Sequence, residues 1–396
     1  MIISLKKLTE WMIYLYIIIM MISGSTGDLA VKIVRVCIMP FLMMSVLGDS
    51  SIRFVKSKYC LWAILFLFYN VVMCFFAFSK SYAVEYTLTL FYVIIVNVFI
   101  CQYIYNHRYI IISILKVFML GALLQGLLIY GQNGLLVFLS ARATEDTSAN
   151  TVGFYSAMAA VFAFYFYLNS KTNKKYIFIG AISTVFLILS ASRKAFMFLG
   201  IPIAVYLIIK SKNPIKVLRN LLLSFLTMIV SIIIVLKVPF LYELAGNRIE
   251  GLLNVFFFGG VIDSSTNTRL SLIEFGMTYF QERPWFGYGM SNFKALVEVY
   301  RSWGSLYYAH NNYVELLVDC GFVGTLIYFS LYIDMFISGV RNMKYRIPVQ
   351  MLAMGCLISF IICEYGMVTY NDAIYQLLLI ILFFILKDEN QTIDKI

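Results

Sequence analysis

Along most of the chain, apolar stretches long enough to be membrane helices are separated by short polar breaks. A helix needs about 20 apolar residues to cross a bilayer. The pattern predicts twelve spans, at 11–27, 29–48, 59–78, 83–105, 109–130, 151–169, 176–191, 195–210, 218–237, 312–335, 348–366 and 372–386. The longest polar interruption, 238–311, falls between the ninth and tenth. Within it "RLSLIEFGMTYF" and "NFKALVEVYRSW" have amphipathic helical spacing and are joined by the turn "ERPWFGYG". Two short helices lying on the membrane surface as a lid are expected there, with their aromatics mainly anchoring the interface.

Composition agrees with this pattern. The chain is 62% apolar and 17% aromatic but only 13% charged, against roughly a quarter charged in soluble domains. The fold class expected is all-α, a polytopic integral membrane protein. No repeat or interdomain linker is visible, so 1–396 reads as one domain. Lys and Arg fill every second break, at Lys6/Lys7, Arg53–Lys58, Arg108, Lys171–Lys175, Lys210–Arg219, Arg341–Arg346 and Lys387/Lys395, and they hold more than half of the 31 basic residues. Positive short loops stay in the cytoplasm, which places both termini inside. The net charge of +11 therefore reports topology and anionic lipid, not nucleic acid. Residues 1–27 also carry a signal-peptide pattern, but "SGSTGDLA" runs straight into another apolar helix.

Seven cysteines fall inside predicted helices without a CxxC pair, so neither disulfides nor a zinc site is expected. The cytoplasmic breaks are too short to fold a nucleotide site and hold no glycine-rich phosphate loop. Function is expected on the outer face.

Basic residues on that face break the orientation rule. Arg193, with Lys194 in "LSASRKAFMF", is either snorkelling to lipid phosphates or an anion clamp facing the bundle interior. Arg269 in "SSTNTRLSLIE" follows a run of capping residues, which places it in the first turn of a helix. Free amides, the positive helix end and a guanidinium would together suit a phosphate there. Lys32 and Arg35 either extend a positive vestibule or pair locally, Lys32 with Asp28. Arg248, Arg283 and Arg301 read as solvated or headgroup-facing, and Arg142 has Glu145 and Asp146 nearby.

His310 precedes the tenth span, in "YAHNNYVELLVDCGFVG". Asn312 is the expected cap, and Glu315 three residues on fits a capping box, a purely structural role. Asn311, Glu315 and Asp319 recur every four residues on one face. Asp319 is deep enough to require hydrogen bonds or a wet cavity. His310 is the imidazole that shares this face with the stray arginines, and its ordinary pKa near 6.5 suits general-base work.

Taken in order, Arg193 in "SASR", Arg269 ahead of "PWFGYG", and "HNNYVELLVDCGFVG" resemble the O-antigen ligase and O-antigen polymerase superfamily over residues 140–335, with "NTVG" at 150–153 similar to the family's polar opening of the sixth helix. The resemblance implies a glycosyltransferase of the large helical, GT-C-like class that needs no metal or other cofactor. It would take a glycan from undecaprenyl diphosphate and pass it to an acceptor hydroxyl. Arg193 and Arg269 would hold the diphosphate and His310 would act as base or acceptor-positioning residue. Apart from the resemblance, Lys32 and Arg35 of the positive vestibule and Asn311 and Asp319 on the His310 face are expected as further substrate contacts. Membrane lipids, a chain-length regulator and other polysaccharide assembly proteins are implied as partners.

Metal-dependent relatives of this class would carry acidic clusters in a long first outer loop, where "GSTGDL" offers only Asp28. A polymerase, transferring to another lipid-linked repeat unit, is favoured over a ligase because no acceptor-binding domain is present. A lipid-linked-oligosaccharide transporter is the alternative from another class. Such proteins more often show paired repeats and broken helices, whereas Pro40 and Pro202 are the only mid-span prolines here.

Overall fold

A computed structural model describes residues 4–23, 32–137, 147–169, 174–211, 264–301 and 307–388, with isolated positions between 213 and 250. The described residues form helices and no strand. In chain order these are α1 (Leu5–Ile22), α2 (Met39–Gly48, continuing a π turn at Val34–Ile38), α3 (Lys58–Met73), α4 (Lys80–Asn106), α5 (Ile110–Asn133), α6 (Ala149–Asn169), α7 (Lys175–Leu189), α8 (Arg193–Lys210), α9 (Ser264–Glu282), α10 (Asn292–Tyr300), α11 (Asn312–Asn342), α12 (Pro348–Cys363) and α13 (Ala373–Leu386).

Eleven of the apolar stretches read from the sequence correspond to helices; most of 218–237 lies outside the described residues. By length and composition, Lys80–Asn106, Ile110–Asn133, Ala149–Asn169, Asn312–Tyr345 and Pro348–Gly366 can cross a membrane, and four further apolar helices are shorter. This is a polytopic membrane protein. α13 explains one short stretch. Every one of its 14 residues is buried, and a helix of that length covers about 21 Å against roughly 30 Å of hydrocarbon. It is apolar all round because it runs through the middle of the bundle, packed on α1, α4, α11 and α12. On the outside, Phe41, Leu61, Phe68 and Phe75 are exposed, as a lipid-facing surface requires.

Small residues set the closest helix pairs. A Cβ on Gly355 of α12 would come within 2.7 Å of the Pro202 backbone of α8. Without a hydrophobic drive between helices in lipid, such close approaches provide the van der Waals contact that holds them together.

The basic breaks gather at one end of the bundle. Asp334, near the end of α11, pairs with both Lys58 and Lys387. Arg108 pairs with Asp388 at 3.8 Å, and Arg346 donates to the Ile209 carbonyl at 3.1 Å. Lys194 opens α8 and His310 immediately precedes α11, at the ends of these helices opposite to the basic breaks.

The tenth stretch is a broken helix, not the single span expected. Gly321, with φ 62° and ψ −172°, interrupts α11. The break frees the carbonyls of Val318, Asp319 and Cys320, and these accept from Tyr288 N at 2.9 Å, Gly289 N at 2.7 Å and the Tyr69 hydroxyl at 2.5 Å. The freed N–H groups of Phe322 and Val323 donate to the Pro284 and Trp285 carbonyls. The turn "PWFGYG" thus replaces the helix's own bonds, which is the condition for irregular backbone at membrane depth.

The two helices expected in the long loop are α9 and α10. Leu272, Phe275, Phe293 and Leu296 form a separate small core with Val314 and Val318 of α11. At Gly276 a Cβ would meet Val314 Cγ1 at 2.4 Å, so α9 lies directly against α11. They are docked on the upper half of the broken helix.

Candidate functional site

The site begins with a tight turn. Between α7 and α8, Ala191 adopts φ 49°, a left-handed conformation that a residue with a Cβ seldom takes. The turn rests on α6. Ser192 Oγ donates to Asn150 Oδ1 at 2.9 Å, and a Cβ on Gly153 would strike Ser190 Oγ and Ala195 Cβ at 2.7 and 2.8 Å. This accounts physically for "NTVG" beside "SASR": the asparagine fixes the turn and the glycine leaves room for it. Arg193 and Lys194 then open α8. Lys194 reaches across to the turn that follows α12 and donates to the Gly366 carbonyl.

Arg269 approaches from α9. That helix already includes Ser264, so Arg269 is its sixth residue and sits in the second turn. The expected first-turn placement is corrected, since "SSTNT" continues the helix instead of capping it. The Arg269 charge acts on Tyr308 and His310.

His310 occupies the junction before α11 at φ 52°. Its ring lies 3.8 Å from the Tyr308 ring centroid, and its Nδ1 is buried without a hydrogen-bond partner among the described residues. Burial, then the positive charges of Arg269 and Lys194, push the imidazole down to about 4, so it is neutral near pH 7. Burial pushes the Tyr308 hydroxyl up to about 12, with Arg269 opposing. The structure therefore brings together His310, Arg269 and Lys194, with Arg193 next to Lys194 in the chain.

The residues after His310 are committed to the fold. The helix cap is Asn311, not Asn312: its Oδ1 accepts from Tyr313 N at 3.0 Å and Val314 N at 3.2 Å. Asn312, one residue inside, accepts from Thr369 N. Glu315 does not close a capping box onto the cap residue. Its Oε2 accepts from Ala309 N at 2.8 Å, which fixes the backbone just before His310. Asp319, fully buried, accepts from Phe293 N and Ser291 N at 2.7 Å each. As substrate contacts, Asn311 and Asp319 have these oxygens already taken by the protein's own backbone.

Lys32 is exposed and not among the charges acting on His310, and the stretch it begins packs mainly on α1 and α4. The Arg35 side chain, Asp28, Arg142 and Arg248 lie outside the described residues. Arg301 is not simply solvated: it bonds Ser271 Oγ at 3.1 Å and stacks over Phe275. Among the described residues no group of three or more His, Cys, Asp and Glu side chains is placed to hold a metal ion.

Sequence reasoning gave Lys194 no role of its own, and it missed Tyr308 and Glu364. Glu364, buried two residues from the Lys194 acceptor, takes bonds from Tyr332 and Thr369 hydroxyls at 2.5 and 3.0 Å. Lys194 was legible as a cation beside Arg193. Nothing local marked Glu364, because only the fold brings α12 to the site.

The O-antigen ligase family model matches residues 176–329, a segment that contains Arg193, Lys194, Arg269 and His310. Over that segment the chain is similar to the O-antigen ligase family. That finding supports its place in the O-antigen ligase and polymerase superfamily and a glycosyltransferase-like activity. No curated protein matches the chain. The matched segment runs from the start of α7 into the second half of α11, so it includes both the "SASR" turn and the broken helix.

Proposed function

We propose that the protein transfers a glycan from an undecaprenyl-diphosphate carrier to the sugar hydroxyl of another lipid-linked repeat unit, on the outer face of a bacterial cytoplasmic membrane. The observation that carries this reading is His310, a half-buried imidazole whose buried Nδ1 has no partner among the described residues, lying under the charges of Arg269 and Lys194 inside the segment that matches the ligase family.

The acceptor oxygen forms its bond to the anomeric carbon as the bond from that carbon to the diphosphate oxygen breaks, with inversion. The hydroxyl proton passes to His310, and the diphosphate leaves with the electron pair. Arg269, Lys194 and Arg193 stabilise the charge that builds on it. Binding also tunes the base. The two cations that depress His310 are the ones a diphosphate would neutralise, so arrival of the donor raises the imidazole toward the range in which a base works at neutral pH. This chemistry requires no metal, because the leaving group's charge is met by fixed cations.

Transfer to a terminal acceptor is the second reading, favoured by the description of the matching family. The test is to incubate detergent-solubilised protein with its lipid-diphosphate-linked repeat unit and EDTA, beside His310→Asn and Arg269→Gln. A ladder of longer lipid-linked glycans, lost in both variants, supports the polymerase. An unchanged donor until a distinct acceptor is supplied supports the ligase. Flipping across vesicles without transfer to any acceptor would overturn both in favour of a transporter.

A further inference from the structure

The far flank of the docked loop helices holds chemistry that the transfer step leaves unused. The described residues leave a cleft of about 290 Å³ among the end of α9, α10 and the α3–α4 connection. Four aromatic rings line it. Tyr279 and Tyr300 lie 5.4 Å apart and 30° from parallel, Phe78 and Tyr300 lie 6.1 Å apart and 36° from parallel, and Tyr288 meets Phe78 and Tyr279 edge-on. At the rim, Glu282 accepts from the Tyr288 hydroxyl at 2.8 Å, and the Arg283 guanidinium stands 4.6 Å from the Tyr288 ring centroid. Tyr300 is 56% exposed and Phe78 38%. These rings form an accessible platform, not a filled core.

We propose that this cleft binds a saccharide segment of the glycan, as a subsite separate from the reacting centre. The inference rests on the proposed function and extends it. A sugar ring has apolar C–H faces and a polar hydroxyl rim, which the aromatic platform and the adjoining carboxylate and guanidinium complement. An acyl chain would strip water from Glu282 and Arg283 without replacing it. A phosphate would meet the Glu282 carboxylate. The position also fits. Arg269 and Tyr279 are ten residues apart on α9, about 15 Å by helix rise. A glycan with its first sugar at His310 reaches the cleft within a short oligosaccharide.

The test uses full-length protein in detergent and oligosaccharides released by mild acid from the source bacterium's surface polysaccharide, with binding followed by microscale thermophoresis. Wild type should bind. Tyr279→Ala/Tyr300→Ala should bind at least tenfold more weakly, with Tyr300→Phe close to wild type. Glu282→Gln, at an exposed carboxylate, should weaken binding several-fold and gives an independent reading if the double variant fails to fold. Unchanged affinity in the folded cleft variants, or absence of binding by wild type, overturns the subsite. Transfer assays separate the two ideas: retained transfer in His310→Asn sinks the proposed reaction, while cleft-dependent binding would still stand.

Discussion

Asp319 on α11 accepts the backbone N–H of Phe293 at 2.7 Å, in the first turn of α10. Its second oxygen takes the Ser291 N–H, so a carboxylate from one helix caps the start of another. That contact, the backbone bonds at the Gly321 break and the small core beneath α9 fasten the loop to the element that carries His310. Removing the acceptor strands two buried N–H groups, each costing about 1–3 kcal/mol. Asp319→Ala should therefore lower the unfolding temperature in detergent markedly, and Asp319→Asn, which keeps one acceptor oxygen, by about half as much. A wild-type melting curve for Asp319→Ala would refute this structural role.

Gly321 has no room for a side chain. A Cβ there would stand 2.5 Å from Phe286 N and from the Trp285 carbonyl, at a backbone conformation that glycine alone adopts readily. Gly321→Ala should displace the "PWFGYG" turn and cost more than the roughly 1–3 kcal/mol of backbone strain alone. Limited proteolysis, with new cleavage near 284–290, reads the displacement directly. Unaltered protection would mean that the break tolerates a methyl group.

The helical class and most helix positions were legible because apolar length is a local signal. The breaks between α6, α7 and α8 fell within a few residues of their places for that reason. Arg269 was misplaced by a turn because "SSTNT" has capping chemistry, whereas the segment is helical from Ser264. Asn311 and Asn312 are chemically identical candidates for one cap, and only the geometry of the preceding left-handed His310 selects the first. The break at Gly321 carried no proline and depends on bonds to a segment more than thirty residues earlier. Lys194 was overshadowed by Arg193 because sequence cannot show which of two adjacent cations points toward His310.

His310 makes a pH prediction with a definite sign. Its folded value of about 4 lies below the ordinary 6.5, so the unfolded chain binds more protons between those values. Stability contributed by the neutral imidazole is fully present above about pH 6.5 and is lost as pH falls toward 4, by on the order of 3 kcal/mol. The chain has two histidines, which makes the measurement tractable. Imidazole-labelled protein should show two titrating NMR signals, and the one missing in His310→Asn should have its midpoint near 4. Asparagine suits the left-handed backbone at this position, so the variant isolates the ring from the conformation. A midpoint near 6.5 would contradict the burial and the charges described above.

The same signal reports which cations surround the imidazole. Arg269 and Lys194 both depress His310, so Arg269→Gln and Lys194→Gln should each move its midpoint upward. Lys32→Gln, on a stretch packed mainly against α1 and α4, should leave it unchanged. If the two cations also hold the donor's diphosphate, each variant should weaken donor binding while making His310 a stronger base before the donor arrives. The pH–rate profile of kcat/KM, which reports the free enzyme, should then shift its acidic limb upward with the NMR midpoint. A midpoint that moves with no change in donor affinity would leave the cations as tuners of His310 alone and assign the diphosphate to Arg193. If neither variant moves the midpoint, the three side chains do not act as one site.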